Sequence, residues 1–222
     1  FGLAFGLVAE VFLNFKKNNP TNNFIDQMIQ VERIMDTNHL NSTWKDRVDQ
    51  YFTYQFKLKQ TSADINAEDL EKNLPTSLVR DIMYYCHRDI ISKFFEEFKS
   101  ENLLRDISLR LRTKTFMPED IIYQRQETSN ETYFIVEGKI SILNRKNDLI
   151  SKLKVGGHFG EAGLYGFKKR SMTAKSVSFC VVKVLEYEDF IEVMKSFPAV
   201  SKVINRSRGH GAHTLEGKTE TS

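Results

Sequence analysis

Only two cysteines, four prolines and one tryptophan occur in 222 residues, and these scarcities exclude several classes of protein. Cys86 and Cys180 stand far apart and form no C-x-x-C pair. They read as reduced, buried cysteines of a cytosolic protein rather than as a disulfide framework. The five histidines, His39, His87, His158, His210 and His213, make no metal set. The pair His210-x-x-His213 lies in a glycine-containing tail without cysteine or carboxylate partners, so no metal site is expected. No G-x-x-x-x-G-K-[ST] loop is present, which removes nucleotide hydrolysis by that route. No Ser, His and Asp cluster offers a nucleophile, and no enzyme is expected. The net charge is only +3. The basic run Lys168-Lys169-Arg170 comes without a recognition helix, so nucleic acid is not an expected partner. Apolar runs are short as well. Residues 1–15 are apolar apart from Glu10 and Asn14, below the ~20 residues that span a bilayer. They read either as a buried helix or as the end of a transmembrane helix, and they lack the basic start and cleavage site of a signal peptide.

What is present is an ordinary globular balance, 41% hydrophobic and 27% charged, with seventeen phenylalanines to pack on. The first half reads as helices. Phe24, Met28, Val31 and Met35 recur at helical spacing over 22–36. Asn38 to Ser42 can break the chain, with Asn41 and Ser42 as cap candidates. A second helix is expected over 43–57, carrying Trp44, Val48, Tyr51, Phe52 and Phe56, so that the two form an αα-hairpin. A polar link over 61–69, with Ser62 or Asp64 as cap, leads to shorter helices expected over 68–73, 77–86, 89–100 and 102–111. From Thr115 the period changes to two. Strands are expected over 115–117, 121–124, 132–136, 139–143, 149–153 and 179–185, with turns at Pro118-Glu119-Asp120, Glu137-Gly138 and 144–148. Many short strands at this spacing read as an antiparallel sandwich or roll. A helix over 188–197 and another from Pro198 to about Arg208 close the chain, before a tail over 209–222.

Five glycines fall within residues 156–166, and Glu161 is followed nine positions later by Arg170-Ser171. Glycines allow sharp turns and let backbone N–H groups approach a ligand closely. Free N–H groups at a turn or helix start hold an anion. Arg170 can meet a phosphate with two parallel hydrogen bonds, and Ser171 can add a hydroxyl. Glu161 would be repelled by that phosphate; as a buried carboxylate it needs a donor such as a ribose hydroxyl. Alone, such a loop is commonly a solvated hairpin turn. With the rest of the chain, the ligand it points to has one phosphate, one sugar and a base.

Phe159-Gly160-Glu161, with Arg170-Ser171 after it, resembles the phosphate-binding cassette of cyclic-nucleotide-binding domains. The resemblance implies a β-roll in which Glu161 contacts the ribose, Arg170 and Ser171 bind the cyclic phosphate, and Phe159, Gly160, Ala162 and Met172 line the site. Met172 stands where that family usually has alanine, and a family turn glycine is missing near Gln126, so a looser loop is expected over 125–130. The family's last helix lays a side chain over the purine; Arg206 or Arg208 could substitute here. The helical half, with Trp44, Tyr51 and Phe52, Asn73-Leu74-Pro75 and Cys86-His87-Arg88-Asp89, resembles the C-linker of cyclic-nucleotide-gated and hyperpolarisation-activated cation channels. The fold class implied is α+β, a helical C-linker followed by an antiparallel roll with flanking helices. The implied domains are 1–18 (end of a pore helix or a buried helix), 19–98 (C-linker), 99–208 (nucleotide-binding domain) and 209–222 (disordered tail). The resemblance further implies a homotetramer joined at an elbow of Trp44, Tyr51 and Phe52, on the cytoplasmic side of a membrane that holds the adjoining pore. The ligand would be cAMP or cGMP, no cofactor is implied, and the pore would pass cations such as potassium. The alternative is an ether-à-go-go-like channel, in which the same fold has lost nucleotide binding and serves as an interaction module.

Overall fold

The computed structural model describes residues 21–60, 67–98, 100–166, 169–198 and 200. Two compact units divide between Gln60 and Thr61. The first is the expected hairpin of α1 (Thr21–Thr37) and α2 (Ser42–Gln60). The α1 stripe is visible in burial, with Ile25 and Met35 buried and Met28 and Val31 half-buried; the side chain of Phe24 lies outside the described residues. Asn41 is the cap of α2, its Oδ1 accepting from the Trp44 N–H at 3.2 Å. The polar link with Ser62 and Asp64 lies outside the described residues, as do residues 1–20 and the tail from 201.

The second unit starts with α3 (Ala67–Glu71), α4 (Thr76–Ile91), a 3-10 turn (Glu96–Phe98) and α5 (Glu101–Arg110). Where breaks at 87–88 and a helix over 89–100 were expected, α4 runs on through Cys86-His87-Arg88-Asp89 and stops at Ile91. The reason is its stripe. Val79, Met83, His87 and Ile91, each four residues on, are all buried, and buried His87 is held to Ser108 O through Nδ1 at 3.2 Å. The turn of Cys86 is thereby directed outward, so this cysteine is exposed rather than buried; Cys180 is buried as expected. Ser100 caps α5 by accepting from Leu103 N–H.

Among the described residues eight strands follow: β1 (Arg112–Phe116), β2 (Ile121–Tyr123), β3 (Glu131–Glu137), β4 (Lys139–Leu143), β5 (Leu149–Lys154), β6 (His158–Phe159), β7 (Thr173–Ser176) and β8 (Cys180–Glu186), then α6 (Tyr187–Lys195). They form two antiparallel four-stranded sheets, ordered β1-β8-β3-β6 and β2-β7-β4-β5. The fold is therefore α+β, a β-roll with flanking helices. β6 and β7 were not foreseen as strands.

Alternation on β3 and β8 builds two cores. Tyr133 and Ile135 on β3, with Cys180, Val182 and Val184 on β8, face the roll's interior beside Tyr123, Ile140, Phe159 and Ala174. Phe134 and Leu185, one residue out of phase, face the helices and meet Ile91, Phe95, Leu103, Ile107, Phe190 and Met194. Both faces of these strands are covered, which is why their sequences run nearly continuously apolar. The one buried charged residue on β8, Lys183, donates to Thr113 Oγ1 at 2.9 Å. Packing thus groups the helices over 67–98 with the roll.

Candidate functional site

The glycine-rich segment leaves β6 at Phe159, turns at Gly160 and enters a one-turn 3-10 helix, Glu161–Gly163. Gly160 has φ of +76°, and a Cβ there would stand 2.9 Å from Nη1 of Arg170, 3.1 Å from Glu131 O and 3.2 Å from Tyr133 Cδ2. Both reasons for glycine operate at this one position: a left-handed backbone and the close approach of a guanidinium. Phe159 is buried, stacked on Tyr133 with ring centroids 4.9 Å apart.

Arg170 is only 3% exposed. Its Nη1 donates to Gly160 O at 2.9 Å, and Nη2 donates to Ser129 Oγ at 2.7 Å and to Glu131 O at 2.6 Å. The guanidinium lies over the ring of Tyr123, 4.3 Å from its centroid, with Tyr133 at 5.8 Å. Burial and the nearby Glu161 charge raise the Tyr123 phenol, Arg170 lowers it, and the result is about 12, so the ring facing Arg170 is neutral. Among the described residues no carboxylate pairs with Arg170, and its buried Nε has no hydrogen-bond partner. A buried donor left unsatisfied costs about 1–3 kcal/mol, more when charged. An anion arriving at that nitrogen would remove the cost.

Behind the guanidinium a second layer fixes its acceptors. Tyr133 OH donates to Glu131, and Lys114 Nζ donates to Glu131 Oε1 at 2.6 Å. Burial works against the Glu131 carboxylate, but those two hydrogen bonds and the charges of Lys114 and Arg170 outweigh it and hold its pKa below the ordinary value. Thr132 Oγ1 donates to Gly160 O at 3.1 Å, orienting the same carbonyl that Arg170 uses.

The other expected site residues lie around this cation with less engagement. Glu161 is exposed at the head of the 3-10 turn rather than buried; Ala162 is half-buried beside it. Ser171 is exposed and Met172 half-buried. Arg206 and Arg208 lie outside the described residues. Nor is the loop after Tyr123 slack. Gln126 takes φ of +70°, the conformation the missing glycine would have favoured. Arg170 clamps this loop with its own backbone, accepting from Gln126 N at 2.8 Å and donating to Glu127 O at 3.0 Å. Of the elbow residues, Trp44 is 53% exposed and Tyr51 is exposed, whereas Phe52 is buried.

Four residues of the site were not singled out from sequence: Tyr123, Ser129, Glu131 and Tyr133. Strand alternation places Tyr133 inward, two residues from Ile135, and was the signal available for it. Tyr123 comes to Arg170 with the pairing of β2 and β7, and Ser129 with the bridge of Thr128 to Lys169, neither of which the residue pattern contained.

Residues 113–197 match the family model described as the cyclic nucleotide-binding domain. Across its whole length the chain is 25% identical to a cyclic nucleotide-gated cation channel of Ictalurus punctatus, covering 33% of that protein. It is 24% identical to cyclic nucleotide-gated channel alpha-3 of Homo sapiens over 92% of the chain and 30% of that protein. A potassium/sodium hyperpolarization-activated cyclic nucleotide-gated channel 2, from Mus musculus, is 23% identical over 78% of the chain and 20% of that protein. The chain thus spans a fifth to a third of the length of these relatives.

Proposed function

Because residues 113–197 are a member of the cyclic nucleotide-binding domain family, we propose that this chain is a regulatory module that binds a cyclic nucleotide at Arg170. The observation that carries the reading is the buried guanidinium with no carboxylate paired to it among the described residues, its Nε unpartnered. A cation desolvated on protein carbonyls and an aromatic face is prepared for an anion, and a singly charged cyclic phosphate supplies one. Ser171 and the amides of Gly160, Glu161 and Ala162 complete the phosphate side, and Glu161, exposed beside it, is free to take a ribose hydroxyl. Binding and release, not catalysis, are the chemistry of such a site.

The channel relatives support a wider reading, that the module belongs to a cation channel and lies on the cytoplasmic side of its membrane. In that reading four copies assemble through Trp44 and Tyr51, and binding of cAMP or cGMP is passed to the pore through the helices before the roll. Coupling of this kind works only through tighter binding to one state than to the other. Among the described residues no helix is long and apolar enough to cross a membrane, so the pore would belong to chain outside them.

One feature favours the competing reading of a roll that has lost its ligand: both Nη nitrogens of Arg170 already donate to the chain's own acceptors. Calorimetric titration with cAMP and cGMP separates the two. Saturable heat is expected, and Arg170→Lys, which keeps the charge but loses the fork, should weaken binding about 10- to 150-fold, matching 1.5–3 kcal/mol for a hydrogen bond to a charged group. A folded sample that gives no heat with either nucleotide would sink the ligand-binding reading and leave a structural module.

A further inference from the structure

The partners of Arg170 differ in how readily they can be given up. Nη1 is tied to Gly160 O, itself oriented by Thr132 Oγ1 and by the Gly163 N–H at 3.0 Å. On Nη2, one acceptor is Glu131 O, a backbone atom of β3 beneath the helices. The other is Ser129 Oγ, a half-buried neutral hydroxyl on the loop before β3. Nη2 is the terminal nitrogen that shares an edge with Nε, and Nε is the buried nitrogen without a partner. A phosphate taken side-on by that edge needs one N–H from each. Nε offers its hydrogen at once; Nη2 must release an acceptor. The hydroxyl is the one that leaves with a bond rotation, while the carbonyl leaves only by breaking the strand end. Tyr123 meanwhile holds the guanidinium plane by its ring face, 4.3 Å away, and no hydrogen bond of its hydroxyl is needed for that.

We propose that the Ser129 hydroxyl occupies the place of a ligand phosphate oxygen on Nη2 of Arg170, and that Tyr123 keeps the guanidinium plane fixed while the two exchange. Ser129 and Tyr123 are then positioning residues that set nucleotide affinity in opposite directions. This rests on the nucleotide-binding reading. Ser129 competes with the ligand and lowers affinity; Tyr123 presents the Nε edge ready-made and raises it. The arrangement also accounts for half of the feature that favoured a lost site: the occupied Nη2 becomes a donor on loan rather than a donor spent, while Nη1 keeps Gly160 O.

The test uses the full chain, titrated calorimetrically with cAMP and cGMP, in the forms wild type, Ser129→Ala, Tyr123→Leu and Tyr123→Phe. Ser129→Ala is expected to bind about 3- to 10-fold more tightly, the factor set by one net hydrogen bond. Tyr123→Leu is expected to bind several-fold more weakly, and Tyr123→Phe, which restores the ring, to match wild type. The proton resonance of Arg170 Nε, followed without nucleotide, gives a readout that folding alone does not move. Its ring-current shift should be the same in wild type and Tyr123→Phe and much smaller in Tyr123→Leu, where only the more distant Tyr133 ring is left. Wild type that binds while Ser129→Ala binds no tighter overturns the exchange but leaves the nucleotide reading intact. Heat from Ser129→Ala alone, with none from wild type, supports the exchange. No heat from any form overturns both, and a shift unchanged in Tyr123→Leu removes Tyr123 from the scheme.

Discussion

His87 shows how a single side chain can tie stability to pH. Burial is the main cause, the Lys183 ammonium adds to it, and the hydrogen bond with Ser108 O opposes it; together they lower the imidazole from 6.5 to about 4. The fold therefore holds His87 neutral. Its contribution is full above pH 6.5, where the unfolded chain is neutral too, and is lost as pH falls towards about 4, because there the unfolded chain binds a proton that the native one refuses. A shift of that size corresponds to about 3 kcal/mol. Denaturant unfolding at pH 7 and pH 4.5 should show wild type losing more stability than His87→Gln, the difference between them isolating this residue from the carboxylates. An equal loss in both would show that His87 is not the group responsible. At this scale the sequence was readable where chemistry dictates one residue, as at Gly160. It was not readable where a backbone overrides preference: Gln126 accepts a positive φ because Arg170 O and N grip the loop on both sides.

The helices and the roll are joined through phenylalanine. Phe95 has ring neighbours from three directions: Phe94 at 4.7 Å, Phe134 on β3 at 6.3 Å and Phe190 on α6 at 6.1 Å. Truncating a buried phenylalanine costs about 3–5 kcal/mol. Phe95→Ala should lower the free energy of chemical unfolding by that amount, and hydrogen exchange should quicken in α6 as well as around residue 95. Faster exchange confined to the preceding helix would mean that Phe95 does not link the elements. The strands with the longest apolar runs, β3 and β8 above all, were legible within two residues. β7 was not, because its inward residues are Ala174 and Ser176, both fully buried yet too small to mark a pattern. The two residues of β6 carry no period at all; they pair because Phe159 must lie against Tyr133. The α4 break was misplaced for a related reason: a polar-looking Cys-His-Arg-Asp run hides a buried histidine in register with Ile91.

Across the whole molecule, the order of helices before an antiparallel roll followed from the change of period at Thr115, and residue types at fixed spacing drew attention to Gly160, Glu161 and Arg170. What holds Arg170 did not follow, since Ser129 and Tyr123 approach it only through folding. Assembly is the remaining question at this scale. Trp44, exposed on α2, is the residue to vary: in sedimentation velocity Trp44→Ala should shift any oligomer of the chain towards monomer, while an unchanged distribution would rule out the elbow contact. Helix α4 has a mechanical consequence of its own. Its sixteen unbroken residues make a rod about 24 Å long. Ile91, at one end, is clamped in the aromatic core beside Phe134, while Thr76 lies at the other. With its pivot there, a tilt of about five degrees would carry the Thr76 end about 2 Å.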